Sequence, residues 1–249
     1  MKKFGLIGYP LGHSFSKGYF AEKFRNENIR DCSYENYPLE HIAMLEQMLE
    51  HEKDLYGLNV TIPYKQQVFT YLHEIDPEAE KVGAVNCIKI IRHQGKKAHL
   101  KGFNTDTYGF EVPLIQALGR QEPKALILGT GGASKAVSYI LEKHHMSYRY
   151  VSRKPKRRDI FSYKDLTEGI IREHTLIVNT SPAGMYPNTD TCPDIPYEGI
   201  TADHILYDLV YNPEKTLFLR KGEKKNATII NGLPMLHLQA ERSWEIWNE

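Results

Sequence analysis

The stretch ALILGTGGASKAVSYIL, residues 125–141, decides the fold of the second half of the chain. It opens with an apolar run at 125–128 that suits a strand buried on both faces, and apolar residues then recur at helical spacing. Gly129, Gly131 and Gly132 lie between the two patterns. Glycines there permit a tight turn and let backbone N–H groups approach a pyrophosphate at the positive end of a helix dipole. The stretch therefore predicts a nucleotide-binding turn.

The surroundings of this turn favour a bound dinucleotide over a purely structural turn, which remains the alternative interpretation. The match to G-x-G-x-x-G is imperfect, because Ser134 stands at the third position with Ala133 and Ala136 as the small residues beside it. Strand patterns, mostly separated by helical patterns, nevertheless recur at 149–152, 176–179, 205–209 and 228–230. Such alternation predicts an α/β fold with a Rossmann-type, doubly wound parallel sheet.

The first half of the chain also alternates strand and helix patterns. Strands are predicted at 2–8, 34–38 and 55–61. Ligand groups in such sheets gather beyond the carboxyl ends of the strands, which is where Thr61 and Lys65 would lie. This half therefore predicts a second α/β unit with its own ligand site.

Three local signals complete the secondary-structure prediction. Pro63 fits the first turn of a new helix. A hairpin is predicted around Gln94-Gly95, and Pro113 predicts a kink or a late start in the helical pattern of 108–118. A domain boundary near Asn104 is expected, because the Rossmann strand begins about twenty residues later.

The composition restricts the classes of partner and of site that the chain is expected to have. Hydrophobic residues make up 41% and charged residues 25% of the 249 residues, as in ordinary soluble domains, and the formal net charge is only +1. Such a balance predicts neither a nucleic-acid partner nor a membrane-surface partner, and no apolar run approaches a membrane span. The three cysteines are far apart and the histidines are scattered, so we expect no disulfide framework, no metal and a cytoplasmic location.

The end of the second Rossmann strand predicts the cofactor. An acidic residue there would bind the free 2′-hydroxyl of NAD, but the sequence has Ser152, Arg153 and Lys154, with further cations behind them. Hydrogen bonds to charged groups contribute about 1.5–3 kcal/mol each, so cations at this point favour the 2′-phosphate of NADP. A solvated basic loop is the alternative interpretation.

Two residues of the first half suggest acid–base chemistry. Hydride transfer to a carbonyl creates an alkoxide, which a positioned ammonium such as that of Lys65 would stabilise and protonate, with Asp106 as its partner. On residue type alone, a surface lysine and a turn aspartate remain the favoured interpretation. Likewise, Ser14 and Ser16 are equally compatible with a helix cap and with hydroxyls offered to a polyhydroxylated ligand.

The chain resembles the shikimate dehydrogenase family, which interconverts 3-dehydroshikimate and shikimate with NADP. The resemblance covers essentially the whole length and rests on separated motifs in the family's order. These are HSFS (13–16), NVTIPYK (59–65), GAVN (83–86), GFNTD (102–106), GTGGASKA (129–136), YDLVYNP (207–213) and NGLPMLHLQA (231–240). The segment SRK (152–154), where the family commonly has an Asn-Arg-Thr type sequence, is one departure.

The resemblance implies a role for each matching position. Lys65 and Asp106 would be the catalytic pair. The shikimate ligands would be Ser14, Ser16, Thr61, Asn86, Tyr211 and Gln239. The NADP ligands would be Gly129, Thr130, Gly131, Gly132 and Ala133 at the pyrophosphate, Ser152, Arg153 and Lys154 at the 2′-phosphate, and Val210 and Gly232 near the nicotinamide.

The resemblance also implies the organisation of the molecule. A shikimate-binding catalytic domain would comprise residues 1–104 with the C-terminal helix, about 236–249, and an NADP-binding Rossmann domain would comprise residues 105–235. The enzyme would serve aromatic amino acid biosynthesis in the cytoplasm, as a monomer or homodimer. The alternatives are a quinate/shikimate dehydrogenase that uses NAD and a non-catalytic regulator that binds NADP or shikimate.

Overall fold

The computed structural model describes residues 1–12, 15–93 and 97–249. The chain forms two units: unit 1 comprises Met1–Thr105 and Ala240–Glu249, and unit 2 comprises Asp106–Gln239. Among the described residues, none of the helices combines the length and the apolar character that crossing a bilayer requires.

Unit 1 is built on a mixed six-stranded sheet in the order β2-β1-β3-β5-β6-β4. Strands β2, β1 and β3 are parallel, β5 is antiparallel to both β3 and β6, and β4 is parallel to β6. Its strands are β1 (Lys2–Gly8), β2 (Cys32–Pro38), β3 (Leu55–Val60), β4 (Glu74–Ile75), β5 (Cys87–Ile91) and β6 (His99–Phe103). Its helices are α1 (Phe15–Asn26), α2 (Met44–His51) and α3 (Pro77–Val82), with a 3₁₀ turn at Gln67–Tyr71.

The end of the last helix covers one face of this sheet. Helix α8 (Leu233–Asn248) begins in unit 2, and its residues from Ala240 onward belong to unit 1. There the ring of Trp247 stacks on Phe4 at 4.9 Å, and its Nε1 donates to the carbonyl of Ile88 at 3.0 Å. A Cβ on Gly57 would lie 2.3 Å from the same Nε1, so only glycine admits the indole.

Unit 2 is built on a six-stranded parallel sheet in the order β12-β11-β10-β7-β8-β9. Its strands are β7 (Ala125–Leu128), β8 (Tyr148–Ser152), β9 (Phe161–Ser162), β10 (Leu176–Asn179), β11 (Ile205–Asp208) and β12 (Thr228–Ile230). Its helices are α4 (Asp106–Leu118), α5 (Gly132–Lys143), α6 (Glu168–Glu173), α7 (Leu217–Glu223) and the first part of α8, with 3₁₀ turns at Tyr163–Asp165 and Tyr197–Gly199.

The central strand of unit 2 separates two hydrophobic cores. Ala125 and Ile127 of β7 belong to one core, and Leu126 and Leu128 belong to the other, as the period-two geometry of a strand requires. From β7 the chain adds β8 and β9 on one side, and it then crosses to β10, β11 and β12 on the other. The predicted doubly wound parallel sheet is confirmed, with its switch point between β7 and β10, where such sheets bind ligands.

One local prediction is wrong, and one of the two alternatives in a second prediction is excluded. Residues 62–66 form a turn that precedes the 3₁₀ helix, so Pro63 does not lie in the first turn of an α-helix; proline suits such turns equally well. Helix α4 begins at Asp106 rather than late, and Pro113 lies inside it. An aspartate favours a helix N-terminus, and here it outweighs the backbone hydrogen bond that Pro113 cannot donate. The predicted hairpin strands are β5 and β6, but Gln94-Gly95 lies outside the described residues.

Candidate active site

The turn after β7 requires glycine at its first position. Gly129 has φ +123°, a conformation that side chains disfavour, and a Cβ there would lie 2.7 Å from Oγ1 of Thr180. Thr180 is held in place, because its backbone N–H and its hydroxyl both donate to the carbonyl of Leu128 at 3.0 Å. The neighbouring strand end therefore approaches the turn too closely for any other residue.

The next two glycines leave open space at the start of α5. Apart from the adjoining residues and the backbone of α5, none of the described residues has a heavy atom within 4 Å of a Cβ built on Gly131 or Gly132, and none of their side chains caps the helix at Gly131. Thr130 is exposed beside them and Ala133 is half-buried. The N–H groups of the first helical turn have no partner within a helix, and the dipole adds positive potential. This arrangement fits a pyrophosphate.

The departure from G-x-G-x-x-G at Ser134 has a structural explanation. The Ser134 side chain is buried, and its hydroxyl donates to the carbonyl of Gly131 at 2.7 Å. Its backbone N–H donates to the same carbonyl at 3.2 Å. Ser134 thus holds the carbonyl of Gly131 through two hydrogen bonds and fixes the start of α5.

Cations follow the end of β8. Ser152 is half-buried and its hydroxyl accepts a hydrogen bond from the N–H of Lys154 at 3.3 Å, while Arg153 and Lys154 are exposed. No ion pair involving Arg153 or Lys154 occurs among the described residues, whereas Arg157 is paired with Asp159. The positive charge of Arg153 also lies near the Tyr163 hydroxyl, where it opposes the burial that raises the pKa of that tyrosine.

The carboxyl ends of β10 and β11 carry a buried polar network. Asn179 and Asp208 are paired residues in the sheet, and both are fully buried. The Asp208 carboxylate accepts hydrogen bonds from Nδ2 of Asn179 at 2.9 Å, the N–H of Val210 at 3.0 Å and the hydroxyl of Thr216 at 2.6 Å. Burial raises the pKa of Asp208 to about 6, although these three donors oppose the shift.

Val210 and Gly232, the two residues predicted near the nicotinamide, are joined by a backbone hydrogen bond. The N–H of Gly232 donates to the carbonyl of Val210 at 3.1 Å. A Cβ on Gly232 would lie 2.2 Å from the carbonyl oxygen of Leu209, so this approach of two backbones requires glycine. Val210 is itself buried.

The remaining predicted residues of unit 2 lie on helices or beside strand ends. Asp106 is the first residue of α4 and is 9% exposed. Tyr211 follows Val210 and is 37% exposed. Gln239 is buried, and its amide donates to the carbonyl of Leu236 at 2.9 Å.

In unit 1, Thr61 and Lys65 follow the end of β3 as predicted. The N–H of Thr61 donates to the carbonyl of Ile7 at 2.9 Å, which extends the β1–β3 pairing by one residue. The carbonyl of Lys65 accepts a hydrogen bond from the N–H of Val85 at 2.8 Å, and its side chain is half-buried. This bond brings the backbone of Lys65 beside the segment that contains Asn86.

Asn86 belongs to a buried network of unit 1. Its Oδ1 accepts from the N–H of Thr105 at 2.7 Å, and its Nδ2 donates to the Thr105 hydroxyl at 3.1 Å. That hydroxyl contacts the hydroxyl of Ser243 at 3.2 Å. Nδ2 of Asn59 donates to Ser243 at 2.8 Å and to the carbonyl of Asn86 at 3.3 Å. Thr105 immediately precedes Asp106, so the network anchors the chain next to that carboxylate.

Ser16 lies at the other end of this network. The hydroxyl of Tyr34 donates to Oδ1 of Asn59 at 2.8 Å. The side chain of Ser16, in the first turn of α1, hydrogen-bonds to the same tyrosine, whose pKa is raised by burial. Ser14 lies outside the described residues.

Sequence reasoning assigned no role to the residues that organise the two networks, which are Tyr34, Asn59, Thr105, Ser243, Asn179, Asp208 and Thr216. A signal was nevertheless present. Asn59 and Asp208 are polar residues in strands that are otherwise apolar, and a buried polar group is almost always hydrogen-bonded.

Comparisons with known proteins identify the family. A family model described as the shikimate dehydrogenase substrate binding domain matches residues 6–88. The shikimate dehydrogenase (NADP(+)) of Methanococcus maripaludis is 37% identical, over 99% of this chain and 91% of that protein.

Solved structures of shikimate dehydrogenases are similar to this chain in both sequence and fold. The chorismate mutase/shikimate 5-dehydrogenase fusion protein from Clostridium acetobutylicum is 35% identical with a TM-score of 0.84, over 99% of this chain and 91% of that one. The shikimate 5-dehydrogenase of Thermus thermophilus in complex with NADP(H) and shikimate is 30% identical with a TM-score of 0.83, over 99% of this chain and 93% of that one. With 37% identity to a curated relative over nearly its whole length, the chain belongs to the shikimate dehydrogenase family.

Proposed function

We propose that the protein is an NADP-dependent shikimate dehydrogenase that reversibly reduces 3-dehydroshikimate to shikimate. The observation that carries this proposal in the structure is the turn at the start of α5. Helix α5 begins there at Gly132 with open space beside Gly131 and Gly132, and β8, the neighbouring strand, is followed by Arg153 and Lys154 instead of a carboxylate. Family membership then connects this cofactor site to shikimate chemistry.

The cofactor would be held by three parts of unit 2. The turn from Gly129 to Ala133 would hold the pyrophosphate, and Ser152, Arg153 and Lys154 would hold the 2′-phosphate. Val210 and Gly232 would lie beside the nicotinamide, which supplies a hydride in the direction of reduction. In this assignment every phosphate contact is a backbone N–H, a hydroxyl or a cation, as the charge of the ligand requires.

Lys65 and Asp106 would control the transfer of the C3 hydroxyl proton. When the hydride adds to the C3 carbonyl carbon, the carbonyl electron pair moves to oxygen, and the Lys65 ammonium would stabilise the resulting alkoxide and protonate it. In the reverse direction the neutral amine would accept the hydroxyl proton. Asp106 would orient the Lys65 ammonium, and a proton from solvent would restore the charge of the lysine after each reduction.

The substrate would be held by groups that can both donate and accept hydrogen bonds. These are the hydroxyls of Ser14, Ser16, Thr61 and Tyr211 and the amides of Asn86 and Gln239. Such groups suit a ligand that combines hydroxyls with a carboxylate. The network through Thr105 fixes the orientation of the Asn86 amide.

The experiment is an NADPH absorbance assay with shikimate and NADP, repeated with NAD and with quinate. We expect NADPH formation that depends on shikimate, and a lower efficiency with NAD and with quinate. An equal efficiency with NAD and quinate would favour a quinate/shikimate dehydrogenase. Absence of any reaction, with NADP or shikimate still bound, would favour a regulator.

Lys65→Ala tests the catalytic assignment. We expect turnover to fall by orders of magnitude while shikimate still binds, because the alkoxide loses its stabilising cation. Lys53→Ala, which removes an exposed lysine of the same unit, is the matched control and should retain wild-type turnover. Near-normal turnover in Lys65→Ala would remove Lys65 from the mechanism.

The wider context follows from the same assignment. The enzyme would act in aromatic amino acid biosynthesis, in the cytoplasm, as a monomer or homodimer. Gel filtration with light scattering would determine the oligomeric state.

A further inference from the structure

The Asp208 carboxylate joins three separate segments of unit 2. Its Oδ1 accepts from Asn179 and from the N–H of Val210, and its Oδ2 accepts from the Thr216 hydroxyl. Asn179 ends β10, Val210 follows β11 and Thr216 is the N-cap of α7. All four side chains are at most 6% exposed, so water does not replace these hydrogen bonds.

One of these segments contains Val210, which is held from both sides. Its N–H donates to Asp208 at 3.0 Å, and its carbonyl accepts from the N–H of Gly232 at 3.1 Å. The Gly232 bond is made by backbone alone and survives most substitutions. The other bond depends on the Asp208 side chain, which therefore sets the position of Val210 along the strand direction.

A second segment is the loop after β10. Oδ1 of Asn179 accepts from the N–H of Ser181 at 3.1 Å and from its hydroxyl at 2.7 Å, and Nδ2 donates to the carbonyl of Ala183 at 3.3 Å. The same Nδ2 donates to Asp208, so the carboxylate also fixes the orientation of the Asn179 amide. The loops that follow β10 and β11 are thus coupled through two buried side chains.

We propose that Asp208 is a positioning residue that holds the nicotinamide-contacting segment at Val210 and the loop at 181–183 in the geometry required for hydride transfer. This inference rests on the proposed function. The hydrogen bonds of the Asp208 side chain go to the end of β10, to the segment after β11 and to the start of α7, whereas the adenosine side of the proposed cofactor site lies at the ends of β7 and β8. Its removal should therefore impair the nicotinamide side alone, and displacement of reacting groups by about 1 Å costs on the order of 100-fold in rate.

The test compares Asp208→Ala and Asp208→Asn with the wild type in two measurements. The first is the single-turnover rate of hydride transfer from NADPH to 3-dehydroshikimate. The second is the dissociation constant of 2′-phospho-ADP-ribose, a probe that lacks nicotinamide. For Asp208→Ala we expect the transfer rate to fall by on the order of 100-fold, with the probe bound within about threefold of wild type.

Asp208→Asn should restore most of the rate. Its carbonyl oxygen can accept from Val210 and Asn179, and its amide can donate to the Thr216 hydroxyl. Where Asp208→Ala does not fold, Asp208→Ser removes the same bonds but leaves one hydroxyl for the buried donors. Tyr197→Phe, which removes a different buried hydrogen bond of unit 2, to the carbonyl of Pro193 at 2.8 Å, is the control for general destabilisation.

The outcomes separate the inference from the proposed function. A wild-type transfer rate in folded Asp208→Ala or Asp208→Ser would overturn the inference, and so would an equal loss of probe binding or an equal loss of rate in Tyr197→Phe. If the wild-type protein itself transfers no hydride to 3-dehydroshikimate, the proposed function fails instead.

Discussion

The pH dependence of stability offers a direct test of the environment of Asp208. The perturbation is Asp208→Asn, which keeps the size and most of the hydrogen bonds of the side chain but does not titrate. Burial raises the pKa of Asp208 to about 6 in the folded protein, whereas an aspartate in an unfolded chain has a pKa of about 3.9. The two states therefore bind protons differently between these values.

The direction in which stability changes with pH follows from this difference in proton binding. Because the folded pKa is raised, the proton stabilises the folded state, and this contribution is fully present below about pH 4 and is lost as the pH rises through about 6. The shift of about 2 units corresponds to about 3 kcal/mol at ~1.36 kcal/mol per unit. We expect the stability of the wild type relative to Asp208→Asn to fall by this amount between pH 4 and pH 7.5.

The assay is urea unfolding of both proteins at each pH, followed by far-ultraviolet circular dichroism. Tryptophan fluorescence would be unsuitable, because both tryptophans, Trp244 and Trp247, belong to unit 1. All other titrating groups are shared and cancel in the difference. A difference that stays constant with pH would refute the reasoning. A difference that rises with pH would show that the three hydrogen bonds outweigh the cost of burying the charge.

Three further predictions concern other parts of the two units. Gly131→Ala should keep the free energy of unfolding within about 1 kcal/mol, since nothing lies within 4 Å of the new methyl group. It should nevertheless weaken NADPH binding, and unchanged affinity in titration calorimetry would place the pyrophosphate elsewhere. Arg153→Asp should lower the ratio of NADPH to NADH efficiency by about tenfold to a hundredfold, the equivalent of one charged hydrogen bond; an unchanged ratio would remove Arg153 from the 2′-phosphate site. Tyr34→Phe should lower the free energy of unfolding by about 1–3 kcal/mol, because the buried Oδ1 of Asn59 loses its donor at 2.8 Å. The exposed Tyr56→Phe is its control, and equal stability of the two variants would contradict the network.

The strands were predictable because their signal is local. The predicted limits of 2–8, 125–128, 176–179 and 228–230 are those of β1, β7, β10 and β12. The runs at 125–128 and 176–179 are mainly apolar and buried throughout, as expected of strands covered on both faces. The edge strand at 228–230 is exposed or half-buried, and its signal is the β-branched run Thr-Ile-Ile. The prediction failed at Pro63, where a single residue type is compatible with two local structures.

The polar networks were not predictable in the same way. Asn59 and Ser243 are 184 residues apart, and Asn179 and Asp208 are 29 residues apart. Periodicity shows that such residues are buried, but it carries no information about which buried donor meets which acceptor. Which donor meets which acceptor depends on the strand order and on the packing of α8, and both are properties of the folded chain.

Each of the two networks includes a buried polar residue from one of the motifs that carry the family resemblance. NVTIPYK contains Thr61 and Lys65, and it also contains Asn59, which bonds to Ser243 on α8 and to the carbonyl of Asn86. YDLVYNP contains Val210 and Tyr211, and it also contains Asp208, which holds the N–H of Val210. In each motif a buried polar strand residue lies two positions before a proposed ligand contact. Asp208 fixes the backbone N–H of Val210 directly, and Asn59 ties the end of β3 to the carbonyl of Asn86 and to Ser243. The motif is then a unit of positioning, and replacing its buried member should impair the reaction without removing any group that touches substrate or cofactor.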